Sequence, residues 1–449
     1  MTAHSIGRTS WLTKLNRIGA VSQTSPLTVF NNIGHIIDEE MLYDAFHRLD
    51  GNKAAGIDGK TKASYGTRLH RNVRNLLRRI RRGTYRPKPA KVVHIPKEDG
   101  STRALSISCL EDKLVQSVVA KILNTIYEPL FLPCSYGGRP NRSAHDALRA
   151  LNQTAYRVSF GAIVEIDIRK YYDSIPHCGL MAYIEDKISD KRFLGLIRKL
   201  LQSSKLDEGK QIQNKQGCPQ GSIVSSILAN IYLHHVIDEW FSQIKASHLK
   251  GGAHMVRYLD DMVFIFERED QAQRLFEVLP KRLARYGLEL HEGKSSIIRA
   301  GRRYAAWAYA RKEKMPTFTF LGFTVYWGKS TSGKTWRMKY RTRKDRFSSS
   351  LKRLREFLWR YRNTNNMPWL LSRVFAVVRG WVNYHGISDN HQKVKAFILS
   401  VKRLLFKWMN RRGGRKRMTW DRYVRGLKRM GFPERYKTIS MIPIAPKQT

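Results

Sequence analysis

The sequence predicts an α+β protein, and three observations predict it. Short β-prone runs, such as Ala162-Ile163-Val164-Glu165-Ile166-Asp167-Ile168 and Met262-Val263-Phe264-Ile265-Phe266, lie between polar turns. Elsewhere apolar residues recur every three or four positions, the period of a helix buried along one face. Beyond Tyr340 only the helical pattern remains, beginning with Phe347, Leu351, Leu354, Phe357, Leu358 and Tyr361.

Residues 1–38 read as a basic extension. Positions 1–37 contain no Asp or Glu and carry Arg8, Lys14 and Arg17. An organelle leader has a similar composition, but a nucleic-acid-binding extension on a cytoplasmic protein is the preferred reading. Arg68 to Arg82 is predicted as a helix with Leu69, Val73, Leu76 and Ile80 on one face, ended by Gly83 and Pro87. Its other face carries Arg71, Arg74, Arg78 and Arg82, a spacing that suits a track of phosphates as well as a solvated surface. Two further helices are expected over Leu370–Tyr384 and Val394–Met409, before Gly413-Gly414 opens a short basic tail, Arg415-Lys416-Arg417.

Arg257-Tyr258-Leu259-Asp260-Asp261-Met262 joins two strands at an acidic tip. Asp is common in turns, yet two adjacent carboxylates repel each other. A divalent cation would remove that repulsion, because hard ions such as Mg2+ take oxygen ligands. Val164, Ile166 and Ile168 alternate onto one face of the earlier strand, which leaves Asp167 on the other with Glu165. If the two acidic strands pair, Asp167 comes beside Asp260 and Asp261. Three carboxylates can hold two divalent ions about 3.5–4 Å apart, which clamp the attacking and leaving oxygens of a phosphoryl transfer.

Composition points to a polyanionic partner. There are 82 Lys and Arg against 36 Asp and Glu, a net charge of +46. Residues 301–449 hold 37 basic and 6 acidic residues, or +31, leaving 45 and 30, or +15, for residues 1–300. Such an excess strains a compact fold unless polyanions bind it. The 42% hydrophobic content, with 10 Trp and 20 Tyr, separates the chain from basic packing proteins, and the length of 449 residues suggests about three domains. Four scattered cysteines, with no C-x-x-C pair, argue against zinc ribbons, a Cys-paired nuclease and a disulfide framework. No apolar run approaches the roughly 18 residues needed to span a membrane.

An ordered set of short blocks resembles the group II intron-encoded, bacterial-type reverse transcriptases and maturases, from about Asn52 to Tyr384. The blocks are Lys53-Ala54-Ala55-Gly56-Ile57-Asp58-Gly59, Ile95-Pro96-Lys97 through Arg103, and Ser135-Tyr136-Gly137-Gly138-Arg139-Pro140-Asn141-Arg142-Ser143. Then come Gly217-Cys218-Pro219-Gln220-Gly221-Ser222 with Leu228 to Leu233, Gly287-Leu288-Glu289-Leu290 leading to Lys294, Phe320-Leu321-Gly322-Phe323, and Arg379-Gly380-Trp381-Val382-Asn383-Tyr384. The resemblance implies a right-hand polymerase: fingers and palm with an antiparallel palm sheet over 39–330, an all-helical thumb (the maturase or X region) over 331–412, and the basic tail over 413–449.

The resemblance also implies roles. Asp167, Asp260 and Asp261 would be catalytic, and with Ile168 would make the site for two Mg2+ ions, Mn2+ being a substitute. Lys97 and Arg103 would neutralise the incoming dNTP, joined by Gln220 and Lys294. Tyr172 would lie under the sugar and exclude a 2′-hydroxyl. Phe320, Leu321, Gly322 and Phe323 would grip the primer, and Arg139, Arg142 and Arg379 would bind nucleic acid beside the arginines of the first helix. The partners implied are an RNA template, a DNA or RNA primer, dNTPs and a group II intron RNA. Leu259 stands where most members have Ala, Gly138 where Phe is common, and Ser226 where Pro commonly follows Ser. Arg103-Ala104-Leu105-Ser106-Ile107-Ser108 replaces the usual Arg-Pro-Leu-Gly-Ile-Pro. The leading expectation is an RNA-directed DNA polymerase that also assists splicing. The alternatives are a free-standing enzyme of DNA repair or phage defence, and a splicing cofactor without polymerase activity.

Overall fold

The computed structural model describes residues 10–96, 100, 102–412 and 418–442. In chain order the strands are β1 (Ala90–Pro96), β2 (Thr102–Ile107), β3 (Gly161–Ile166), β4 (Lys205–Asp207), β5 (Lys210–Ile212) and β6 (Ala253–Tyr258). They continue with β7 (Asp261–Phe266), β8 (Ser296–Ala300), β9 (Phe318–Phe320), β10 (Phe323–Lys329) and β11 (Trp336–Thr342). They form three sheets, ordered β2-β1-β4-β5, β6-β7-β3-β8 and β11-β10-β9. The chain divides into two compact units: residues 1–143, 164–264 and 270–296, and residues 144–163, 265–269 and 297–449.

The first unit is built around the helix Leu110–Tyr127, whose Leu114, Val115, Val118, Val119, Ile122, Leu123 and Ile126 are all buried. Burial on so many sides explains why its apolar pattern is wider than a single stripe. The helix Trp11–Thr24 lies against it: Leu15 is buried, the Ser22 hydroxyl donates to the Ile126 carbonyl at 2.5 Å, and Lys121 Nζ sits 4.1 Å from the Trp11 ring. Residues 11–24 are therefore part of this core rather than a loose extension, because Trp11, Leu15 and Ile18 supply an apolar face among the basic residues. The arginine-rich helix is Leu69–Arg81; Val73, Leu76 and Leu77 face inward while Arg71, Arg74, Arg78 and Arg82 are exposed. Strands β1 and β2 pair antiparallel from Lys91↔Ile107 to Pro96↔Thr102.

The second unit contains the β9–β10–β11 sheet and a bundle of helices. β10 and β11 pair antiparallel from Phe323↔Thr342 to Lys329↔Trp336, so sheet structure continues past residue 330 and the helices begin at Lys344. The predicted helices appear as Lys344–Arg360, Met367–His385 and His391–Arg412. Asn366 caps the second through Trp369 N, with a proline in its first turn. Their apolar faces bury Leu354, Leu358, Val374, Val378, Phe397 and Val401 in one cluster. A fourth helix, Trp420–Arg429, capped by Thr419, adds Tyr423 and Leu427 to the same cluster. Residues 418–442 are thus folded and not a tail; the glycines and basic residues of 413–417 lie outside the described residues. Among the described residues, no helix is long and apolar enough to cross a membrane, and all four cysteines are free thiols.

Candidate active site

β6 and β7 are neighbours joined by two residues, which requires an antiparallel hairpin. Leu259, at the tip, has φ 56°, a left-handed conformation that a leucine rarely adopts. What holds it there is a buried arginine. Arg257, fully inaccessible, donates from Nε to Asp238 Oδ1 at 2.7 Å and from Nη2 to Oδ2 at 2.5 Å. Its Nη1 reaches Asn230 Oδ1 at 2.8 Å and the Leu259 carbonyl at 3.2 Å. Asp238, also buried, is kept below the usual carboxylate range: burial would raise it, but the Arg257 charge overrides that cost.

β3 ends at Ile166, and Asp167 follows in a backbone clamp. Its N–H donates to Ser295 Oγ at 3.1 Å, its carbonyl accepts from His291 N at 2.8 Å, and Arg169 N donates to the Glu289 carbonyl at 2.8 Å. The segment Gly287 to Lys294 therefore fixes where Asp167 sits. Ile168, buried, bridges Leu290 in the same clamp through bonds made by Asp167 and Arg169. Lys294 Nζ lies 3.5 Å from Asp167 Oδ2, so here the ammonium balances the carboxylate.

The two acidic strands bring Asp167 and Asp260 into electrostatic range. Burial raises the Asp260 pKa and the Asp167 charge raises it further, while the Arg103 and Arg257 charges oppose the shift. Arg103, exposed on β2, thus acts on the same carboxylate. Tyr172 is half-buried beside them; burial, then the Asp260 charge, raises its hydroxyl pKa. The Gly217–Ser222 loop packs on the Tyr172 backbone: Cys218 N donates to the Tyr172 carbonyl at 2.7 Å, and a Cβ on Gly217 would lie 2.7 Å from that oxygen. Gln220 accepts from Ser106 N of β2 at 2.7 Å through its carbonyl, so the loop is held between β2 and Tyr172.

The structure corrects several expectations. Among the described residues, no group of three His, Cys, Asp or Glu side chains stands ready to hold a metal ion. Asp261, the first residue of β7, is exposed. The donor set still fits a hard divalent ion: two carboxylates whose mutual repulsion appears at Asp260, with an ammonium standing as counter-charge at Asp167. Arg139 is not a nucleic-acid contact. It is buried, with its guanidinium on both Glu128 oxygens and the Leu132 and Ser135 carbonyls, bracing its own loop. Arg142 also turns inward, donating to the Pro133 carbonyl at 2.9 Å and stacking 5.3 Å from the Tyr136 ring. Lys97 lies outside the described residues, and Arg379 is exposed on Met367–His385.

In the second unit, Phe320 pairs with Phe323 across a two-residue turn in which Leu321 (φ 48°) and Gly322 (φ 78°) are both left-handed. Tyr384 braces this turn: its hydroxyl donates to the Leu321 carbonyl at 2.8 Å and its ring stacks on Phe323 at 5.8 Å. Sequence reasoning missed Asp238 and the structural use of Arg257, Asn230 and Tyr384. The readable signal was Arg257 itself, a charge inside an otherwise apolar strand run.

The profile of the family described as reverse transcriptase (RNA-dependent DNA polymerase) matches residues 95–325, which include both acidic strands. The chain belongs to the reverse transcriptase family. This reverse transcriptase is 34% identical over 238 residues to an uncharacterized 91 kDa protein in the cob intron of Schizosaccharomyces pombe, covering 52% of this chain and 29% of that one. It is also 34% identical over 236 residues to the group II intron-encoded protein LtrA of Lactococcus lactis subsp. cremoris, covering 51% and 38%. The chain therefore matches well under half the length of these relatives. Among solved structures, the telomerase of Candida albicans with a fragment of telomeric RNA aligns over 84% of this chain and 68% of its own, at 15% identity and a TM-score of 0.44.

Proposed function

We propose that this protein is an RNA-directed DNA polymerase of the group II intron type that also binds intron RNA as a splicing maturase. The observation that carries the reading is the position of Asp167 and Asp260 on neighbouring strands, near enough that the Asp167 charge raises the Asp260 pKa while Arg103 opposes it, in a chain of the reverse transcriptase family. Divalent metal dependence is general to that family; we infer two Mg2+ ions at Asp167, Asp260 and Asp261, replaceable by Mn2+. Bound there, the ions would activate the primer hydroxyl and neutralise charge on the leaving phosphate.

The chain's own residues supply the rest. Arg103 brings a guanidinium to the edge of the site, where a dNTP triphosphate would add negative charge. Lys294, half-exposed beside Asp167, adds a second positive charge at that edge. Tyr172, seated on the Gly217–Ser222 loop, puts a ring where a ribose hydroxyl would collide. Gln220 is held by its backbone, leaving its amide side chain for the nucleotide or template.

Nucleic-acid binding is supported by aromatic and cationic surface in the second unit. Tyr309 is 58% exposed with Lys329 Nζ 4.5 Å from its ring, and Trp359 is 64% exposed with Arg362 at 4.3 Å. Such pairs stack on bases while attracting phosphates. The maturase reading draws on the group II intron-encoded relative LtrA, and a cytosolic protein bound to its own intron RNA is the form of it proposed here. Asp260→Ala is expected to abolish Mg2+-dependent extension of a DNA primer on an RNA template, at a loss of at least about 10³-fold, while RNA affinity stays within about twofold. Extension retained by the variant would refute the site.

A further inference from the structure

We propose that Leu259 is a positioning residue for Asp260, seated on a shelf of two glycines that is reserved for it; the proposal rests on the polymerase reading. Leu259 occupies the left-handed region at the hairpin tip, immediately before Asp260. Its side chain lies on Gly137 and Gly138. A Cβ on Gly137 would fall 2.5 Å from Leu259 N, 2.8 Å from Tyr258 C and 2.9 Å from Leu259 Cγ. A Cβ on Gly138 would fall 2.9 Å from Leu259 Cδ2, 3.2 Å from Asn230 Nδ2 and 3.4 Å from Ser226 Cβ. The two glycines thus differ. Position 137 is closed by backbone, which no substitution can move, whereas position 138 is closed chiefly by the Leu259 side chain.

Shelf and turn are tied to the same buried groups. Asn230 donates from Nδ2 to the Gly137 carbonyl at 2.8 Å, and its Oδ1 accepts from Arg257 Nη1, which also holds the Leu259 carbonyl. Tyr136 N donates to the Arg257 carbonyl at 2.8 Å, fixing the loop against β6. The shelf therefore cannot drift away from the tip, and the volume between Gly138 and Leu259 is set. Filling it from the Gly138 side must shift the Leu259 side chain, whose Cδ2 is the nearest atom, and the next residue along the chain is Asp260. Emptying it by truncating Leu259 removes the apolar contact that supports a turn conformation unfavourable to any L-residue.

A double-mutant cycle on the full-length protein tests this. Extension of oligo(dT) on poly(rA) with dTTP and Mg2+ is measured for wild type, Gly138→Ala, Leu259→Ala and the pair, with thermal unfolding of each. Gly138→Ala is expected to lower kcat about tenfold or more when Leu259 is present, and only about threefold when Ala occupies 259, the residue left being the strain of an alanine at φ 70°. KM for dTTP is expected to hold, the unfolding midpoint to fall by a similar amount on Gly138→Ala in both backgrounds because the strained backbone is common to them, and Leu259→Met to restore what Leu259→Ala loses. Equal fold losses in the two backgrounds would show the positions to be independent and overturn the proposal. If Gly138→Ala does not fold, Leu259→Ala carries the test: unchanged kcat overturns it. Wild-type protein without extension would overturn the polymerase reading and this proposal with it, whereas active wild type with equal losses overturns the proposal alone.

Discussion

Tyr172 and Asp260 show how far single residues are shaped by the groups around them. The Tyr172 hydroxyl, raised by burial and by the Asp260 charge, stays protonated at neutral pH, so the ring is an apolar wall with a neutral edge. Tyr172→Ala is expected to increase ribonucleotide incorporation by about 10–100-fold relative to dNTP. The check is the ratio of kcat/KM for a matched ribo- and deoxyribonucleotide; an unchanged ratio would mean the ring only packs. Asp167 and Asp260 were legible in the sequence because their neighbours are strongly β-prone or aromatic and the carboxylates stand out, whereas Tyr172 was reached only through the family resemblance. Arg139 was not. An arginine in a basic chain reads as solvated, and nothing local announces that Glu128, eleven residues earlier, will neutralise it.

At the scale of elements, the helices and the acidic hairpin were readable because each carries its period over several turns or strand residues. The helix Trp11–Thr24 was not, because its two buried residues are outnumbered by polar ones and its partner, Leu110–Tyr127, is distant in sequence. β11 was missed for a similar reason: Arg337 and Lys339 interrupt its alternation, and only Asp389, whose two oxygens meet the Arg337 guanidinium, makes the arginine acceptable inside. The end of Met367–His385 offers a test by pH. Burial, then the charges of Arg346 and His145, pushes the His385 pKa down to about 4. The unfolded chain, with an ordinary histidine near 6.5, binds the proton more readily, so His385 favours the folded state above pH 6.5 and costs stability as pH falls toward 4. The loss at pH 5 is about 2 kcal/mol. Asp112, raised to about 6 by burial, acts with the opposite sign over part of this range, so the comparison is with His385→Gln rather than with zero. Thermal midpoints from pH 7 to 5 are expected to fall less in that variant than in wild type.

The whole molecule is dominated by its charge. A surplus of +46 makes association with polyanions strongly dependent on counterions. With 6–10 phosphates contacted, RNA affinity is expected to drop by about 10³–10⁵ between 50 and 200 mM salt, read as the slope of log affinity against log salt. A slope near zero would place binding on base stacking instead. The surplus was readable from composition, but the division of the chain was not, because the second unit takes residues 144–163 from the middle of the first. That excursion has a consequence during synthesis. The helix Ala144–Arg157 hides Ala147, Leu148 and Leu151, and its His145 meets the Tyr384 carbonyl 239 residues later, while Asn152 meets that of Met441, 289 residues on. At about 5–20 residues per second, Tyr384 follows on the order of 10–50 s behind. A newborn chain therefore leaves the ribosome with one helix waiting for a mate not yet translated, and its apolar flank needs a temporary companion until the far end arrives.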